Sequence, residues 1–248
     1  MKKLTNPLTL LVLIVVAASF SAPFGTPKIA GFVKDFLPAV ATLIAAYVGA
    51  WYGASLVKDA ALKDERKKNI GVGARTMFTL WRQVNMMAQI QIDFVDLYRN
   101  NPSAPIAMPP INYPLDEPAR IDLDGLAFFL DLGNAKILED LAIAEQNFLH
   151  AIDVIKKRSK LHLTEVQPVL EKIIPRGGPV SHAALEQALG PRLFSLLIDQ
   201  TKSMIFRVDS AVVDLDKVTA ELFNALKKEF PDSKFPQPSG AETERPNT

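Results

Sequence analysis

The chain of 248 residues carries 28 basic and 27 acidic side chains, a formal net charge of +1, and no cysteine. This balance gives no overall electrostatic field that would favour nucleic acid as a partner. The lack of thiols excludes disulfides, thiolate catalysis and iron–sulfur or cysteine–zinc sites, and the length allows one domain plus an anchor.

The first apolar stretch, residues 8–24, has two interpretations. Lys2 and Lys3 precede a short apolar run that ends in small residues, which is the pattern of a secretory signal peptide. The uncharged stretch is also long enough to remain as a first membrane span and to form a helical hairpin with a second one. We favour the retained span, because Phe20 and Pro23 fit a cleavage site poorly.

Residues 36–57 form the second candidate for a span. These 22 residues carry no charge. At about 1.5 Å per helical residue they cover ~33 Å, which matches a hydrocarbon core of ~30 Å. Trp51 and Tyr52 lie just before Lys58, where interfacial aromatic anchors are expected. The sequence therefore predicts that residues 1–57 are a membrane anchor.

A stripe of small residues runs along the second span at intervals of four positions: Ala41, Ala45, Gly49 and Gly53. Gly49 and Gly53 form a GxxxG pattern, which lets another helix approach closely within a bilayer. We expect this small-residue stripe to contact either the first span or a second copy of the chain.

Basic residues follow the second span more densely than they precede it. The short loop before the span contains Lys28 and Lys34, whereas the stretch after it contains Lys58, Lys63, Arg66, Lys67, Lys68 and Arg75. Basic residues accumulate on the cytoplasmic side of membrane proteins. The pattern predicts a bacterial-type inner-membrane protein with a cytoplasmic C-terminal domain, whether the first stretch is retained or cleaved.

Residues 58–230 are predicted to form a cytoplasmic helical bundle. Helical spacing continues from the span to about residue 100, and Gly71 and Gly73 either bend this helix or let another helix pack closely. Residues 101–122 hold six prolines and are expected to form an extended strap pinned to the bundle by its apolar residues. Four polar residues of the first helix are expected to be exposed to solvent, and the alternative is that one or two of them enter the bundle seam and set its register: Gln83, Asn85, Gln89 and Gln91.

Helical patterns continue after the strap. A helix beginning near Asp122 is expected to end at residues 130–134. The next helix has one apolar face, made of Leu138, Leu141, Phe148, Ile152 and Ile155. Helical spacing resumes over residues 166–173, where Pro168 either kinks or restarts the helix, and stops at a turn over residues 175–179. A short helix with Ser181 as its cap comes next.

The last helix carries the most regular pattern of the chain. Its seam steps by three and four through Phe194, Leu197, Thr201, Met204, Val208, Ala211, Leu215, Val218, Leu222 and Ala225. Such a seam has to be buried, and we expect an antiparallel bundle within the chain rather than an intermolecular coiled coil. The polar, proline-containing residues 231–248 are expected to be a disordered tail.

Two basic clusters are candidate contacts for anionic lipid: Lys63, Arg66, Lys67 and Lys68 in the first, and Lys156, Lys157, Arg158 and Lys160 in the second. They would form one basic collar against the headgroups if the helix after Asn134 runs back toward the membrane. The alternative, which we favour, is that the clusters only set the membrane topology and complement a helix C-terminus.

The sequence holds no recognisable catalytic or cofactor-binding pattern. Its three histidines, His150, His162 and His182, form no H-x-x-x-H or H-E-x-x-H pair that would bind a metal. Gly177 and Gly178 lack the lysine and spacing of a phosphate-binding loop. We therefore predict no catalytic site, no cofactor and no metal, and a chain that is not an enzyme.

The leading functional hypothesis is a non-catalytic scaffold, adaptor or sensor at the cytoplasmic face of the inner membrane. Its expected contacts are membrane lipid and either a protein partner or a second copy, and nucleic acid is not expected. The alternative is an oligomeric small pore or transporter-accessory subunit that uses the small-residue stripe. The lack of charged residues within the spans weighs against an ion path.

Overall fold

The computed structural model is all-helical, with no strand among the residues that it describes, 27–113, 118–173 and 182–237. The first apolar stretch, the turn predicted over residues 175–179 and the end of the tail lie outside these residues. The chain divides into two units, Met1–Asp64 and Glu65–Thr248, here called unit 1 and unit 2.

The first helix, α1, covers Pro27–Ile90 and passes through a π-helical turn, Gln91–Val95, into a last helical turn, α2, over Asp96–Tyr98. The helical spacing in the sequence predicts that the helix continues after the span to about residue 100. It does not predict that the residues before the span are helical as well. Residues 27–35 are helical rather than a loop, and no proline lies among residues 28–35 to interrupt the helix.

Gly73 allows a close approach between two helices. A methyl group placed on Gly73 would lie 2.5 Å from Cδ2 of Leu226 on the last helix, whereas one placed on Gly71 would meet no other atom within 4 Å. Helix α1 is continuous through both glycines. The sequence left open whether these glycines bend the helix or let another helix pack closely. Gly73 lets another helix pack closely.

Where the structure describes them, the strap and the residues after it contain only short helical segments: α3 over Ala104–Ala107, a 3₁₀ turn over Asp124–Leu126 and α4 over Phe128–Asp131. The helix predicted near Asp122 is thus two short turns, and Gly133, with a φ of +69°, ends the second. The strap is held along its length. Gln83 is buried rather than exposed, and its Nε2 donates to the Ala119 carbonyl at 2.7 Å.

Helix α5 covers Ala135–Leu161 and is followed by a π-helical turn, His162–Val166, and by α6 over Gln167–Ile173. The widened turn ends two residues before Pro168, which has no backbone N–H to donate to the preceding turn. The predicted apolar face of α5 is buried at Leu141, Phe148, Ile152 and Ile155, and Leu138 is partly buried.

Helix α7 covers His182–Leu189, and the last helix, α8, covers Pro191–Glu229. Gly190 separates them with a φ of +75°, a backbone conformation that other residues rarely adopt. Nine of the ten predicted seam residues of α8 are buried, so the seam is covered within the chain. The last seam residue differs from the prediction: Leu226 is fully buried, whereas the predicted Ala225 is half-buried.

The long helices of unit 2 share one hydrophobic core, to which α1, α5 and α8 all contribute buried residues. Leu226 of α8 lies against Gly73 of α1, and Asp209 accepts a hydrogen bond of 2.8 Å from Gln91. The order of these contacts along the two helices is opposite. We call this part of unit 2 the helical core.

Helix α5 meets α8 in the same opposite order. Lys136, near the start of α5, lies close enough to Glu221 for that carboxylate to raise the pKa of Lys136, after the larger effect of Asp140. Farther along α5, Asn147 Nδ2 donates to Asp214 at 2.7 Å. Because α1 and α5 both run opposite to α8, they run in the same direction as each other.

The start of the predicted disordered tail is packed. Phe235 is buried, and its ring centroid lies 6.4 Å from that of Phe230. Lys227 Nζ also donates to the Ser233 carbonyl at 2.8 Å. The disorder prediction is therefore wrong for residues 231–237, because an aromatic side chain in this polar stretch is buried beside the end of α8.

Candidate functional site

The apolar part of α1 in unit 1 exposes its side chains. Leu43 and Val57 are each 70% exposed and Trp51 is 64% exposed. The most apolar 18-residue window has a mean hydropathy of 1.5, and none of it is buried. Within the described residues, this is the one helix that is long and apolar enough to cross a membrane. This apolar segment of α1 is not part of the hydrophobic core, because core residues are mostly buried.

The small-residue stripe lies on an open part of this helix. Ala41 and Ala45 are exposed, and methyl groups placed on Gly49 or Gly53 would meet no other atom within 4 Å. The interfacial candidates Trp51 and Tyr52 are exposed as well. Contact of the stripe with another helix and the interfacial role of the two rings both stay predictions.

The first basic cluster is on the surface. Lys63, Arg66, Lys67 and Lys68 are all exposed. The Arg66 guanidinium lies 5.2 Å from the ring centroid of Phe230, at the C-terminal end of α8. The first residues of unit 2, which belong to α1, therefore lie beside the C-terminal end of α8. Arg66, Lys67 and Lys68 belong to this Phe230 end of the helical core.

The second basic cluster is divided between surface and core. Lys156, Lys157 and Lys160 are exposed, and Lys157 lies 2.6 Å from Asp153. Arg158 has no exposed surface at all. The prediction that Arg158 contacts lipid is therefore wrong, because its guanidinium is enclosed by protein.

The two clusters lie at opposite ends of the helical core. Asp209, which binds Arg99 at the end of α2, is separated along α8 from Phe230 by 21 residues, about 31 Å of helix. Arg158 binds carbonyl groups of the strap just after Arg99, so its cluster lies at the Arg99 end. Arg66 lies at the Phe230 end.

The predicted basic collar is therefore wrong in its geometry. It requires α5 to run back along α1, whereas α5 runs in the same direction as α1. The strap explains the difference, because it carries the chain back before α5 begins: Ala119 pairs with Gln83, and Ile121 N donates to Glu145 at 2.7 Å.

Arg158 holds the strap by its backbone. Its terminal nitrogens donate to the carbonyls of Pro109 at 2.7 Å and Pro105 at 3.2 Å, and to that of Met108. No carboxylate that the structure describes pairs with it. Burial lowers the pKa of Arg158 to about 10, against a smaller raising effect from Tyr98. A buried cation whose partners are carbonyl dipoles is a costly arrangement that fixes the strap in one position.

Two further residues of the same helix face complete this attachment. Ser159 Oγ accepts a hydrogen bond of 3.0 Å from the Ile111 amide, and His162 Nε2 lies 3.2 Å from the Ile106 carbonyl. Arg158, Ser159 and His162 are all buried. We call these three residues the strap clasp. Met108 and Ile111 are buried beside it, so the apolar residues of the strap add to its attachment.

His162 has a defined tautomer in the clasp. A carbonyl oxygen only accepts, so Nε2 carries the proton and Nδ1 is an acceptor. Nδ1 of His162 and Nε of Arg158 are buried and have no hydrogen-bond partner among the described residues. Burial lowers the pKa of His162; the bond to Ile106 opposes this effect, and the charge of Arg158 adds to it.

Sequence reasoning missed the clasp because residues 156–160 read as one basic surface cluster. The apolar spacing contained the missing signal: Phe148, Ile152 and Ile155 lie at steps of three and four on the buried face. Continuing that spacing places Ser159 and His162 on the same face. A polar residue in register with an apolar stripe is expected to find a buried partner, which is what both residues do.

A surface cluster links the helical continuation of α1, from Gln91 to Arg99, to α8. Arg99 donates to both oxygens of Asp209, one of them at 2.8 Å, and also to Asp96 at 2.9 Å. The pKa of Asp209 is lowered, chiefly by Arg99 and to a lesser extent by Gln91. Gln91 and Arg99 both bind Asp209, and Arg99 also binds Asp96, which is typical of a structural link between helices.

The described residues contain no group of three His, Asp or Glu side chains that could hold a metal ion. The features that stand out are therefore the exposed apolar segment of α1 and the strap clasp. Comparison of the chain with family models, with curated proteins and with solved structures finds no match.

Proposed function

We propose that the chain is a non-catalytic membrane-anchored scaffold, adaptor or sensor. In this proposal the α1 segment spans a bacterial-type inner membrane, and the helices of unit 2 form a bundle on its cytoplasmic side, with α8 antiparallel to α1 and α5. The proposal is carried by one observation: an uncharged segment with exposed side chains is followed on the same helix by a basic cluster.

The absence of cysteine makes sidedness directly testable. We suggest single-cysteine variants at two exposed polar positions of unit 2, Asn100→Cys and Asn224→Cys, and a membrane-impermeant maleimide. A cytoplasmic unit 2 gives no labelling of intact cells and full labelling after lysis. Labelling of intact cells at both positions would reverse the proposed orientation, and recovery of the full-length chain in the soluble fraction would refute the anchor.

Contact with anionic lipid is proposed for the first basic cluster alone. Lys63, Lys67 and Lys68 are exposed, and they follow the apolar segment by only six to eleven residues. Replacing all three by Gln is expected to reduce anionic-lipid enrichment around the purified protein, measured by mass spectrometry of co-purified lipid. The matched control replaces Lys156, Lys157 and Lys160 by Gln. An equal reduction in both variants contradicts a specific role for the first cluster.

The second candidate function is an oligomeric small pore or a transporter-accessory subunit. The observation that favours it is the open space beside Gly49 and Gly53, where another helix could approach closely. Amine-reactive cross-linking through the lysines in membranes is expected to give a ladder that stops at a defined ring size, and Gly49→Leu, which fills the open space, should shorten that ladder. A single dimer band favours the scaffold instead. Leu43→Ala, two positions from Ala45 and therefore on a different side of the helix from the small-residue stripe, is the control and should keep the ladder.

A further inference from the structure

His162 is a titratable group inside a contact that holds a surface segment. Its Nε2 binds the Ile106 carbonyl, and it lies one helical turn after Arg158, which holds three other carbonyls of the same segment. Residues one turn apart on a helix have Cβ atoms ~6 Å apart. A proton taken up by His162 would therefore place a second positive charge beside a buried cation.

The surroundings of His162 offer that charge no compensation. The strap residues 104–112 contain no titratable side chain. The neighbouring part of the core consists of apolar residues of α5, α7 and α8 and the turn after α5: Leu161, Val166, Leu185, Leu189, Phe194 and Leu197. On its own helix and the turn that follows, Lys160 and Glu165 point to solvent, and Tyr98 of α2 acts on Arg158.

We propose that His162 makes the strap clasp acid-sensitive, so that proton binding at Nδ1 releases strap residues 104–111 from α5. Nδ1 has no acceptor among the described residues, so the protonated ring would carry a buried N–H without a partner. Opening of the strap lets water reach both His162 and Arg158. Loss of the strap also removes Ile106 from the apolar cluster around Phe194 and Leu197, which exposes part of that cluster.

Release of the strap needs only local opening. Residues 104–111 contain three prolines and the short helix α3, and their amides make few bonds to the rest of the chain, such as that from Ile111 to Ser159. Burial lowers the pKa of His162 in the closed form, so the open form binds the proton more strongly than the closed form. Acid therefore shifts the equilibrium toward the open strap, which is the direction that the unpartnered Nδ1 also predicts. The inference goes beyond the proposed anchoring role and does not depend on it.

Amide hydrogen exchange of the full-length chain in detergent micelles tests the proposal. Rates at pH 7.5, 6.5 and 5.5 are corrected for the intrinsic pH dependence of exchange. Protection of the amides of Met108 and Ile111 is expected to fall several-fold between pH 7.5 and 5.5, with ~10-fold as the limit for one proton. Peptides from α8 should keep their protection. A change of less than about twofold in the strap overturns the proposal.

Two histidine variants assign the effect. His162→Gln places an amide nitrogen near the position of Nε2 but cannot take up a proton, so the strap should stay protected at both pH values. His150→Gln changes an exposed histidine of the same helix and should keep the wild-type pH dependence. The proposal is overturned if the pH dependence survives in His162→Gln. It is also overturned if that variant is open at both pH values, because the neutral hydrogen bond would then control the strap.

Discussion

The apolar segment of α1 and the seam of α8 are both rich in large apolar residues, but they have opposite surroundings. Leu215 in the seam has no exposed surface, whereas Leu43 in the segment is 70% exposed. Along α8 the apolar residues follow one face, and exposed residues such as Lys202 and Lys217 occupy the others. Residues 38–57 carry no charge on any face.

The comparison shows that the distribution of apolar residues around a helix, rather than their number, decides what surrounds it. A helix with one apolar face can bury that face by packing it against neighbouring helices. The apolar face of α8 packs in this way against α1 and α5. A helix that is apolar on all sides needs an apolar environment all round, either in a large core or in lipid. Within the chain, residues 38–57 are not enclosed by such a core, because none of the most apolar window is buried.

The largest expected effect comes from the seam. Leu215→Ala removes buried side-chain volume from a contact between helices and should lower the free energy of unfolding by about 2–5 kcal/mol. Val213→Ala, two positions away on α8 and 65% exposed, should change it by less than about 0.5 kcal/mol. Urea unfolding of both variants in detergent, followed by circular dichroism, gives the two values. Similar losses would mean that Val213 is covered by a partner in solution.

A charge in the apolar segment should weaken membrane insertion and leave the stability of the helical core unchanged. Leu43→Arg is expected to weaken membrane insertion by about 3 kcal/mol, because an arginine near the centre of a span is costly, while urea unfolding of the helical core stays unchanged. The fraction retained in membranes after alkaline extraction measures the first effect. Leu43→Ala is the control for loss of the side chain. Equal retention of the two variants would remove the argument that lipid surrounds this segment.

The apolar patterns of single helices could be predicted from the sequence, and the path between helices could not. The periodicity of α8 identified nine buried seam residues, and the uncharged stretch identified the helix that could cross a membrane. The direction of α5 depends on where the strap lies, and the strap is fixed by Gln83 and Arg158, long polar side chains that bind distant carbonyls. Such pairings have no periodic signature in a sequence.

Gly71 and Gly73, two positions apart on α1, have different surroundings, so the same substitution should have opposite effects on stability at the two positions. Gly71→Ala should stabilise α1 by about 0.5–1 kcal/mol, because alanine is the better helix former and its methyl group meets no other atom. Gly73→Ala should destabilise it by about 1–3 kcal/mol, because its methyl group would lie 2.5 Å from Cδ2 of the fully buried Leu226, which would have to shift. Urea unfolding separates the two signs. Equal stabilisation by both variants would show that α1 and α8 are not in contact at Gly73.

The smallest effect is expected at the polar link between α1 and α8. Asp209 and Arg99 are 31% and 36% exposed, so water screens their attraction, and Asp209→Asn should cost less than about 1 kcal/mol at pH 7. Asp153→Asn, which removes a more exposed carboxylate paired with Lys157, is the matched control and should cost less.

The pH dependence identifies the origin of that cost. Because Arg99 lowers the pKa of Asp209 below its ordinary value of 3.8, the folded chain binds this proton more weakly than the unfolded chain. The stabilisation is therefore complete above about pH 4 and is lost as the pH falls through the lowered pKa. The difference between wild type and Asp209→Asn should shrink over that range, whereas a difference that persists at pH 2 would assign the cost to hydrogen-bond geometry rather than to charge.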